Sequence, residues 1–221
     1  MARQALITGF AGYGGRGRNP SGEVAKALDG REVAGLKVIG RVLPVSYEKL
    51  QNGLQTLFDE IKPCIVICIG LWPGEATIRL ERIGINVADF EIPDNEGAYV
   101  RDMPVSGNGS TAVLTTLPVR QIESDLLSAG IPARISPTAG TFLCNATLYT
   151  ILTLAETLRP PPLAGFVHVP YLPEQVAELL GAVRDERKLE IHQRADMASM
   201  DLATMVRAVE LALAAVAKAL P

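Results

Sequence analysis

The chain has 221 residues, a formal net charge of −3 at pH 7 and a hydrophobic fraction of 48%. This length is typical of one α/β domain, and its small negative charge excludes a basic surface for nucleic acids or anionic membranes. No apolar run is long enough to span a bilayer, and the first residues lead directly into a predicted strand rather than a signal peptide. Three cysteines favour a reducing cytoplasm over a disulfide framework. We therefore expect a single cytoplasmic domain over residues 1–221.

Strands and helices alternate along most of the chain. Short apolar runs predict strands, and apolar residues three or four positions apart predict helices. The predicted strands cover residues 4–9, 37–43, 64–69, 77–87, 133–136 and 166–169. The predicted helices cover residues 21–28 and 47–61, residues 120–128, a segment that begins near Cys144, and residues 199–220, with Ser21 and Ser199 as N-caps. This alternation predicts a three-layer α/β/α sandwich around a twisted, mixed but mostly parallel sheet.

Cys144 stands at the boundary between a loop and a predicted helix. A thiol at a helix N-terminus lies beside backbone N–H groups that have no intrahelical partner, at the positive end of the helix dipole. Both features stabilise the nucleophilic thiolate, and the same N–H groups can bind an oxyanion. The alternative is a buried structural cysteine, which is our interpretation of Cys64 and Cys68 in the predicted strand 64–69.

His168 lies near the end of a short apolar strand that Pro170 terminates. Ligand sites of open α/β sheets lie at the carboxyl ends of strands, so His168 is the candidate base for Cys144. The alternative is a core histidine that is hydrogen-bonded to backbone. His192, the only other histidine, falls in the charged segment 185–194 and is predicted to be a solvated surface residue.

Glu81 lies in the predicted strand 77–87 with the same parity as several apolar residues, so its carboxylate is predicted to point inward. A buried carboxylate needs a partner. Two possibilities stay open at this point. Glu81 could orient the imidazole of His168, as the acid does in a Ser-His-Asp arrangement, or it could form a salt bridge with Arg79 or Arg82.

Short motifs occur in a fixed order along nearly the whole chain. They comprise Ile7-Thr8-Gly9-Phe10, Gly14-Gly15, Asn19-Pro20-Ser21, Leu80-Glu81-Arg82, Asn86-Val87, residues 92–97, Gly130-Ile131-Pro132, Ala139-Gly140-Thr141, Cys144-Asn145 and residues 165–171. In this order and spacing they resemble the pyroglutamyl peptidase I family, also called pyrrolidone-carboxylate peptidases. Each motif alone is of modest specificity, whereas the complete ordered set is a specific signal.

The resemblance implies a cysteine exopeptidase that cleaves the amide after an N-terminal pyroglutamyl residue through a thioester acyl-enzyme. It implies Cys144 as nucleophile, His168 as general base and acid, and Glu81 as the residue that orients the imidazole. Its substrates would be N-terminally pyroglutamylated peptides. The positions that match the family's apolar substrate pocket, or stand beside it, are Phe10, Tyr13, Leu71, Ile92, Phe142 and Leu143.

The resemblance also implies a homo-oligomer, either a tetramer or a dimer, and we expect neither a cofactor nor a metal. No cluster of His, Cys, Asp and Glu has metal-ligand spacing. Exposed apolar residues around Trp72-Pro73 or on the last helix are candidates for the contact between subunits.

Residues 12–17 match the dinucleotide pattern G-x-G-x-x-G, but the next predicted strand ends at Leu43-Pro44 without the required acid. We interpret these glycines as a loop that closes over a small substrate.

Three positions depart from the family pattern. Leu71 replaces the usual Gln, Glu91 replaces the usual Arg, and Tyr13 replaces a ring-stacking Phe. Loss of the Gln leaves a buried lactam without a polar partner, a cost of roughly 1–3 kcal/mol, unless the Tyr13 hydroxyl supplies one. Two function classes therefore stay open. One is a peptidase for pyroglutamyl or for another N-terminal group, such as one with positive charge near Glu91, and the other is a catalytically weak binding protein.

Overall fold

The structure is a computed structural model that describes residues 3–186 and 197–220, with side chains described outside residues 183–196. His192, predicted to be a surface residue, lies outside this part of the chain. The strands are β1 (Gln4–Phe10), β2 (Glu32–Val33), β3 (Leu36–Leu43), β4 (Ile65–Leu71), β5 (Ile78–Glu81), β6 (Ile83–Ile85), β7 (Ala112–Leu114), β8 (Ala133–Ser136) and β9 (Leu163–Val169). The helices are α1 (Pro20–Leu28), α2 (Tyr47–Ile61), α3 (Val119–Ser128), α4 (Leu143–Thr157), α5 (Pro173–Glu186) and α6 (Leu202–Lys218).

Seven strands form one mixed sheet in the order β2-β3-β1-β4-β9-β5-β8. The pairs β3-β1, β1-β4, β4-β9 and β5-β8 are parallel, whereas β2-β3 and β9-β5 are antiparallel. Strands β6 and β7 form a separate antiparallel pair. The predicted mixed, mostly parallel sheet is therefore confirmed.

Helices cover both faces of this sheet. Ile65 and Ile67 of β4 belong to an apolar cluster that includes residues of α1, α3 and α6, and Val66 and Cys68 belong to a second cluster that includes residues of α2 and α4. Successive residues of a strand point to opposite faces, so a continuous apolar strand is buried on both sides. The predicted three-layer sandwich is confirmed, and Cys68 is a core residue, as we interpreted it. Within the described residues no helix is long and apolar enough to cross a membrane.

Two predicted helix caps are wrong. The N-cap of α1 is Asn19, whose side chain accepts a hydrogen bond from the Ser21 N–H at 3.1 Å. The N-cap of α6 is Asp201, which accepts from the Thr204 N–H at 2.9 Å, rather than Ser199. In both cases an Asn or Asp side chain nearer the true helix start satisfies the N–H groups that the helix leaves without partners.

The predicted strand 77–87 is two strands in different sheets. β5 pairs within the main sheet, whereas β6 pairs with β7, and Arg82 separates them. Strands β2 and β7 and helix α5 were not predicted. β2 has two residues and β7 has three, mostly exposed, so neither carries the apolar alternation from which strands are predicted.

The carboxyl ends of β1, β4 and β9 meet at one edge of the sheet. Phe10 and Leu71 are the last residues of β1 and β4, and His168 is next to last in β9. Helix α4, which carries Cys144 in its first turn, packs against β4 and β9. This edge is where sheets of this kind hold their ligands.

Candidate active site

Glu81 and His168 are buried and directly joined. His168 Nδ1 lies 2.8 Å from Glu81 Oε1, and the two side chains are 1% and 0% exposed, respectively. An Nδ1–H that donates to this carboxylate leaves Nε2 of His168 unprotonated and able to accept a proton. The geometry that the orienting role of Glu81 requires is therefore present.

Glu81 is buried as predicted, but not for the reason first given. Ile83 and Ile85, whose parity it shares, lie in β6 of the other sheet, and the apolar neighbours Ile78 and Leu80 in β5 itself belong to the cluster on the opposite face. Because helices cover both faces, the carboxylate is buried on its own face as well.

Glu81 also binds Arg79, so both partners that the sequence left open exist together. Arg79 Nε donates to Glu81 Oε1 at 3.1 Å, the same oxygen that His168 contacts. Arg79 Nη2 donates to Ser136 Oγ at 2.6 Å and to the Thr138 carbonyl at 2.8 Å. Arg82, the other possible partner, is exposed.

Cys144 is the second residue of α4. The N-cap Phe142 makes no side-chain capping hydrogen bond, so the first N–H groups of the helix are available to an oxyanion. Gly70 locates the thiol, because a Cβ on Gly70 would lie 2.7 Å from Cys144 Sγ. Gly70 is the register partner of His168 on the neighbouring strand, about 4.8 Å away. The structure therefore brings Cys144 and His168 together.

Burial raises the pKa of the Cys144 thiol to about 12, and the Glu81 carboxylate contributes in the same direction. Desolvation and the Glu81 charge thus oppose the stabilisation of a thiolate that the helix N-terminus was predicted to give. Burial lowers the pKa of His168, the Glu81 hydrogen bond and charge oppose that shift, and the Arg79 charge lowers the pKa further. A neutral thiol beside a neutral imidazole is the arrangement in which His168 can take the thiol proton during attack.

A cavity of about 350 Å³ opens over Cys144 and His168. Its lining includes all six positions predicted to bind substrate, namely Phe10, Tyr13, Leu71, Ile92, Phe142 and Leu143. The ring of Phe142 packs on that of Phe90 with centroids 4.6 Å apart, and the Tyr13 ring lies 6.4 Å from Phe142. Such a mostly apolar cavity with few polar groups suits a small ring system.

The polar groups of the cavity are acidic or neutral. Asp89 and Glu91 belong to its lining, which among the described residues contains no Lys or Arg. Leu71 is nearly buried and offers no hydrogen bond to a ligand. Burial raises the pKa of Tyr13 to about 12, with Cys144 as the next cause, so its phenol stays protonated and can donate.

Trp72, Asp89 and Asn19 also line the cavity, and sequence reasoning missed them as site residues. The Trp72 ring packs edge-on against His168, with centroids 5.1 Å apart and an interplanar angle of 82°. A usable signal was present for Trp72, because it directly follows the carboxyl end of the buried strand β4. Asp89 lies outside the regular elements, where no periodic pattern indicates which side chains face a cavity.

Asn145 fixes the start of α4 against the segment that follows β5. Its buried amide accepts from the Ile85 N–H and donates to the carbonyls of Ile85 and Val87, each at 2.9 Å. All the polar atoms of this amide therefore serve the backbone, and the residue beside Cys144 is structural. Among residues 3–186 and 197–220, no group of three His, Cys, Asp or Glu residues could hold a metal ion.

Comparisons with known proteins agree with these motifs. The model of the pyroglutamyl peptidase family matches residues 3–219. The pyrrolidone-carboxylate peptidase of Pyrococcus furiosus is 44% identical over 178 residues, which cover 80% of this chain and 86% of that protein. That of Thermococcus litoralis is 40% identical over 214 residues, covering 96% and 91%.

Solved structures give the same result. An X-ray structure of the pyrrolidone carboxyl peptidase of Pyrococcus furiosus matches with a TM-score of 0.90 at 38% identity, over 98% of this chain and 99% of that one. The family predicted from the sequence motifs is therefore confirmed. The chain belongs to the pyroglutamyl peptidase family and is a cysteine peptidase of that type.

Proposed function

We propose that this chain hydrolyses the amide bond after an N-terminal pyroglutamyl residue, with Cys144, His168 and Glu81 as its catalytic residues. The observation that supports these roles is their arrangement at the cavity. A thiol in the first turn of α4 lies over Gly70, beside an imidazole whose Nδ1 is bound to a buried carboxylate. We also propose that residues 1–221 form one domain that works as a unit.

The reaction follows from this arrangement. Cys144 Sγ attacks the carbonyl carbon of the pyroglutamyl residue while its proton passes to Nε2 of His168. The N–H groups at the start of α4 stabilise the oxyanion, and Glu81 stabilises the imidazolium. His168 then protonates the leaving amine, and a thioester between Cys144 and the pyroglutamyl group is left. Water that His168 deprotonates hydrolyses the thioester and restores the thiol.

Recognition in this proposal depends mainly on shape. Phe10, Phe142 and Ile92 enclose the apolar face of the pyrrolidone ring, and Tyr13 covers it from the loop after β1. The Tyr13 hydroxyl supplies the lactam hydrogen bond that Leu71 cannot make.

A second candidate is a peptidase with a different N-terminal preference. The specific observation in its favour is the cavity lining, in which Leu71 offers no lactam partner and Asp89 and Glu91 are the charged groups. These acids would attract an N-terminal residue that carries a positive charge.

A panel of fluorogenic amides separates the two candidates. The panel contains pyroglutamyl, uncyclised glutaminyl, prolyl and basic N-terminal residues on one leaving group, and the Cys144→Ala variant serves as blank. We expect pyroglutamyl to have the highest kcat/KM. A basic or uncyclised residue with a higher kcat/KM would establish the second candidate instead.

The assembly that we propose is a tetramer or a dimer, located in the cytoplasm, where the three free cysteines are stable. The two surfaces first considered for the contact are occupied within the chain. Val209 and Leu213 of α6 are buried in the core, and Trp72 packs on Arg79 and His168. Light scattering at micromolar concentration tests the proposal, and a monomer would contradict it.

A further inference from the structure

We propose that Arg79 is a positioning residue of the catalytic centre, which acts on His168 through Glu81. This proposal rests on the proposed function, in which His168 is the catalytic base. Arg79 is a buried cation beside the buried acid of the catalytic centre, and the reaction as written above assigns it no role.

The backbone ladders fix this arrangement. β5 lies between β8 and β9, and the register partners of Arg79 are His168 on β9 and Arg134 on β8. Residues opposite each other in a sheet project from the same face, as do residues two apart in one strand. The strand register therefore places Arg79, Glu81 and His168 on one face of the sheet, and all three belong to strands rather than to loops.

Each nitrogen of the Arg79 guanidinium has a partner. Nε donates to Glu81 Oε1 at 3.1 Å, and Nη2 donates to Ser136 Oγ and the Thr138 carbonyl at 2.6 and 2.8 Å. Nη1 lies 3.5 Å from Oε2 of Glu75. A guanidinium held at all three nitrogens cannot rotate away, so Arg79 holds the Glu81 carboxylate in a fixed position.

Glu81 has few other partners. Its Oε1 is shared between Arg79 and His168, and its Oε2 has no hydrogen-bond partner among the described residues. The carboxylate is 0% exposed, so water does not replace a lost donor. Without Arg79, this buried negative charge would be balanced most directly by a proton on His168, which would remove the base.

The same guanidinium supports one wall of the cavity. Its central carbon lies 3.6 Å from the centroid of the Trp72 ring, and that ring packs edge-on against His168. Arg79 therefore contacts both the acid that binds His168 and the aromatic ring that packs against it. A cation stacked on an aromatic face in a buried place is held more strongly than at an exposed one.

The titratable groups around His168 come from several elements. Arg79 and Glu81 belong to β5, Glu75 belongs to the loop before it, and Cys144 belongs to α4. Across the cavity lie Tyr13, Asp89 and Glu91. Of these groups Arg79 is the only cation, so its removal changes the charge balance at His168 in one direction, toward protonation.

The test measures the protonation of His168 directly. The chain has two histidines, so NMR titration of the imidazoles, assigned with the His192→Gln variant, reports His168 without any substrate. In Arg79→Met we expect the pKa of His168 to rise by about one unit or more, and the acid limb of kcat/KM to move with it. We expect kcat at pH values below both pKa values to fall about tenfold for each unit of the shift, and KM to change less than about threefold.

Two variants provide the controls. Arg79→Lys keeps a cation in place. Its acid limb of kcat/KM should therefore shift less from that of the unmodified protein than the acid limb of Arg79→Met. Arg134→Met removes a register partner of Arg79 that binds Glu75 and not Glu81, and it should shift the titration and the acid limb much less than Arg79→Met does. An unshifted His168 titration in folded Arg79→Met would overturn the proposal.

The double variant Arg79→Met/Glu81→Gln keeps the proposal testable if Arg79→Met does not fold, because it leaves no unpaired buried charge. If Arg79 acts through Glu81, its kcat should match that of Glu81→Gln within about threefold. A kcat about tenfold below that of Glu81→Gln would show an independent role and overturn the proposal. A shifted His168 titration in a protein that cleaves no pyroglutamyl amide would support the role of Arg79 while rejecting the proposed function.

Discussion

The catalytic centre and the substrate pocket adjoin in one cavity, but they are built differently. Glu81, His168 and Arg79 are at most 5% exposed, and hydrogen bonds join Glu81 to Arg79 within β5 and to His168 on the neighbouring β9. The pocket is apolar and partly open, with Ile92 46% exposed and Leu71 where the resemblance drawn from the sequence motifs led us to expect Gln. Proton transfer requires partners in fixed positions, whereas a pocket that encloses a ring requires mainly the right shape. Substitutions are therefore tolerated more readily in the pocket than in the catalytic centre.

The largest expected effect comes from removing the nucleophile. Cys144→Ala and Cys144→Ser should lower kcat/KM for a pyroglutamyl amide by about a thousandfold or more, and His168→Ala should do the same. Glu81→Gln should retain more activity than either, because orientation of the imidazole is a smaller contribution. Cys64→Ser is the matched control, since that thiol donates to the Gln4 carbonyl at 3.3 Å and does not belong to the cavity lining, and it should keep its activity. Substantial hydrolysis by Cys144→Ala would contradict the mechanism.

A smaller but still large effect should follow from moving the nucleophile. In Gly70→Ala the new methyl group would lie 2.7 Å from Cys144 Sγ and 2.9 Å from the Phe166 ring, so the thiol must shift. We expect kcat to fall about a hundredfold, as for a displacement near 1 Å.

Gly53→Ala is the matched control for that change. A Cβ there meets nothing within 4 Å in the middle of α2, so activity should be unchanged and thermal stability equal or slightly higher. Full activity in folded Gly70→Ala would show that the thiol does not need its observed position.

Changes in the pocket should have moderate effects. Tyr13→Phe should lower kcat/KM for a pyroglutamyl amide about tenfold, the value of one buried hydrogen bond, and Leu71→Gln should raise it. Steady-state kinetics on one fluorogenic amide measures both. If neither substitution changes kcat/KM, the lactam is not recognised at these positions. The proposed difference between the catalytic centre and the pocket would then be contradicted.

Moderately acidic pH is expected to have the smallest effect on kcat/KM. His168 must be neutral to accept the thiol proton, and a neutral imidazole predominates above its pKa. Since burial lowers that pKa below its ordinary value, the acid limb of kcat/KM should lie below pH 6.5. Cys144 and Tyr13, each with a pKa of about 12, should add no alkaline limb below about pH 10. A pH profile with half-maximal activity near pH 7.5 would contradict this assignment.

The same contrast describes what could be predicted from the sequence. Alternating elements and local motifs predicted the layers and the candidate roles of Cys144, His168 and Glu81. Strand pairing joins residues far apart in sequence, so a local pattern could not predict that β5 pairs antiparallel with β9. Because of this pairing, Arg79 and His168 both contact the same carboxylate oxygen of Glu81. The sign of the Cys144 pKa shift depends on burial in the assembled cavity, which helix position alone does not give.

The central claim is that chemistry at Cys144 proceeds through a thioester with the pyroglutamyl group. The direct measurement uses a pyroglutamyl ester, whose good leaving group makes acylation fast, with an acid quench and mass spectrometry of the digested protein. We predict a mass gain of one pyroglutamyl group on the peptide that contains Cys144, which disappears as turnover ends and is absent from Cys144→Ala. Hydrolysis of the ester at the full rate by Cys144→Ala, or an adduct on any other residue, would contradict the account.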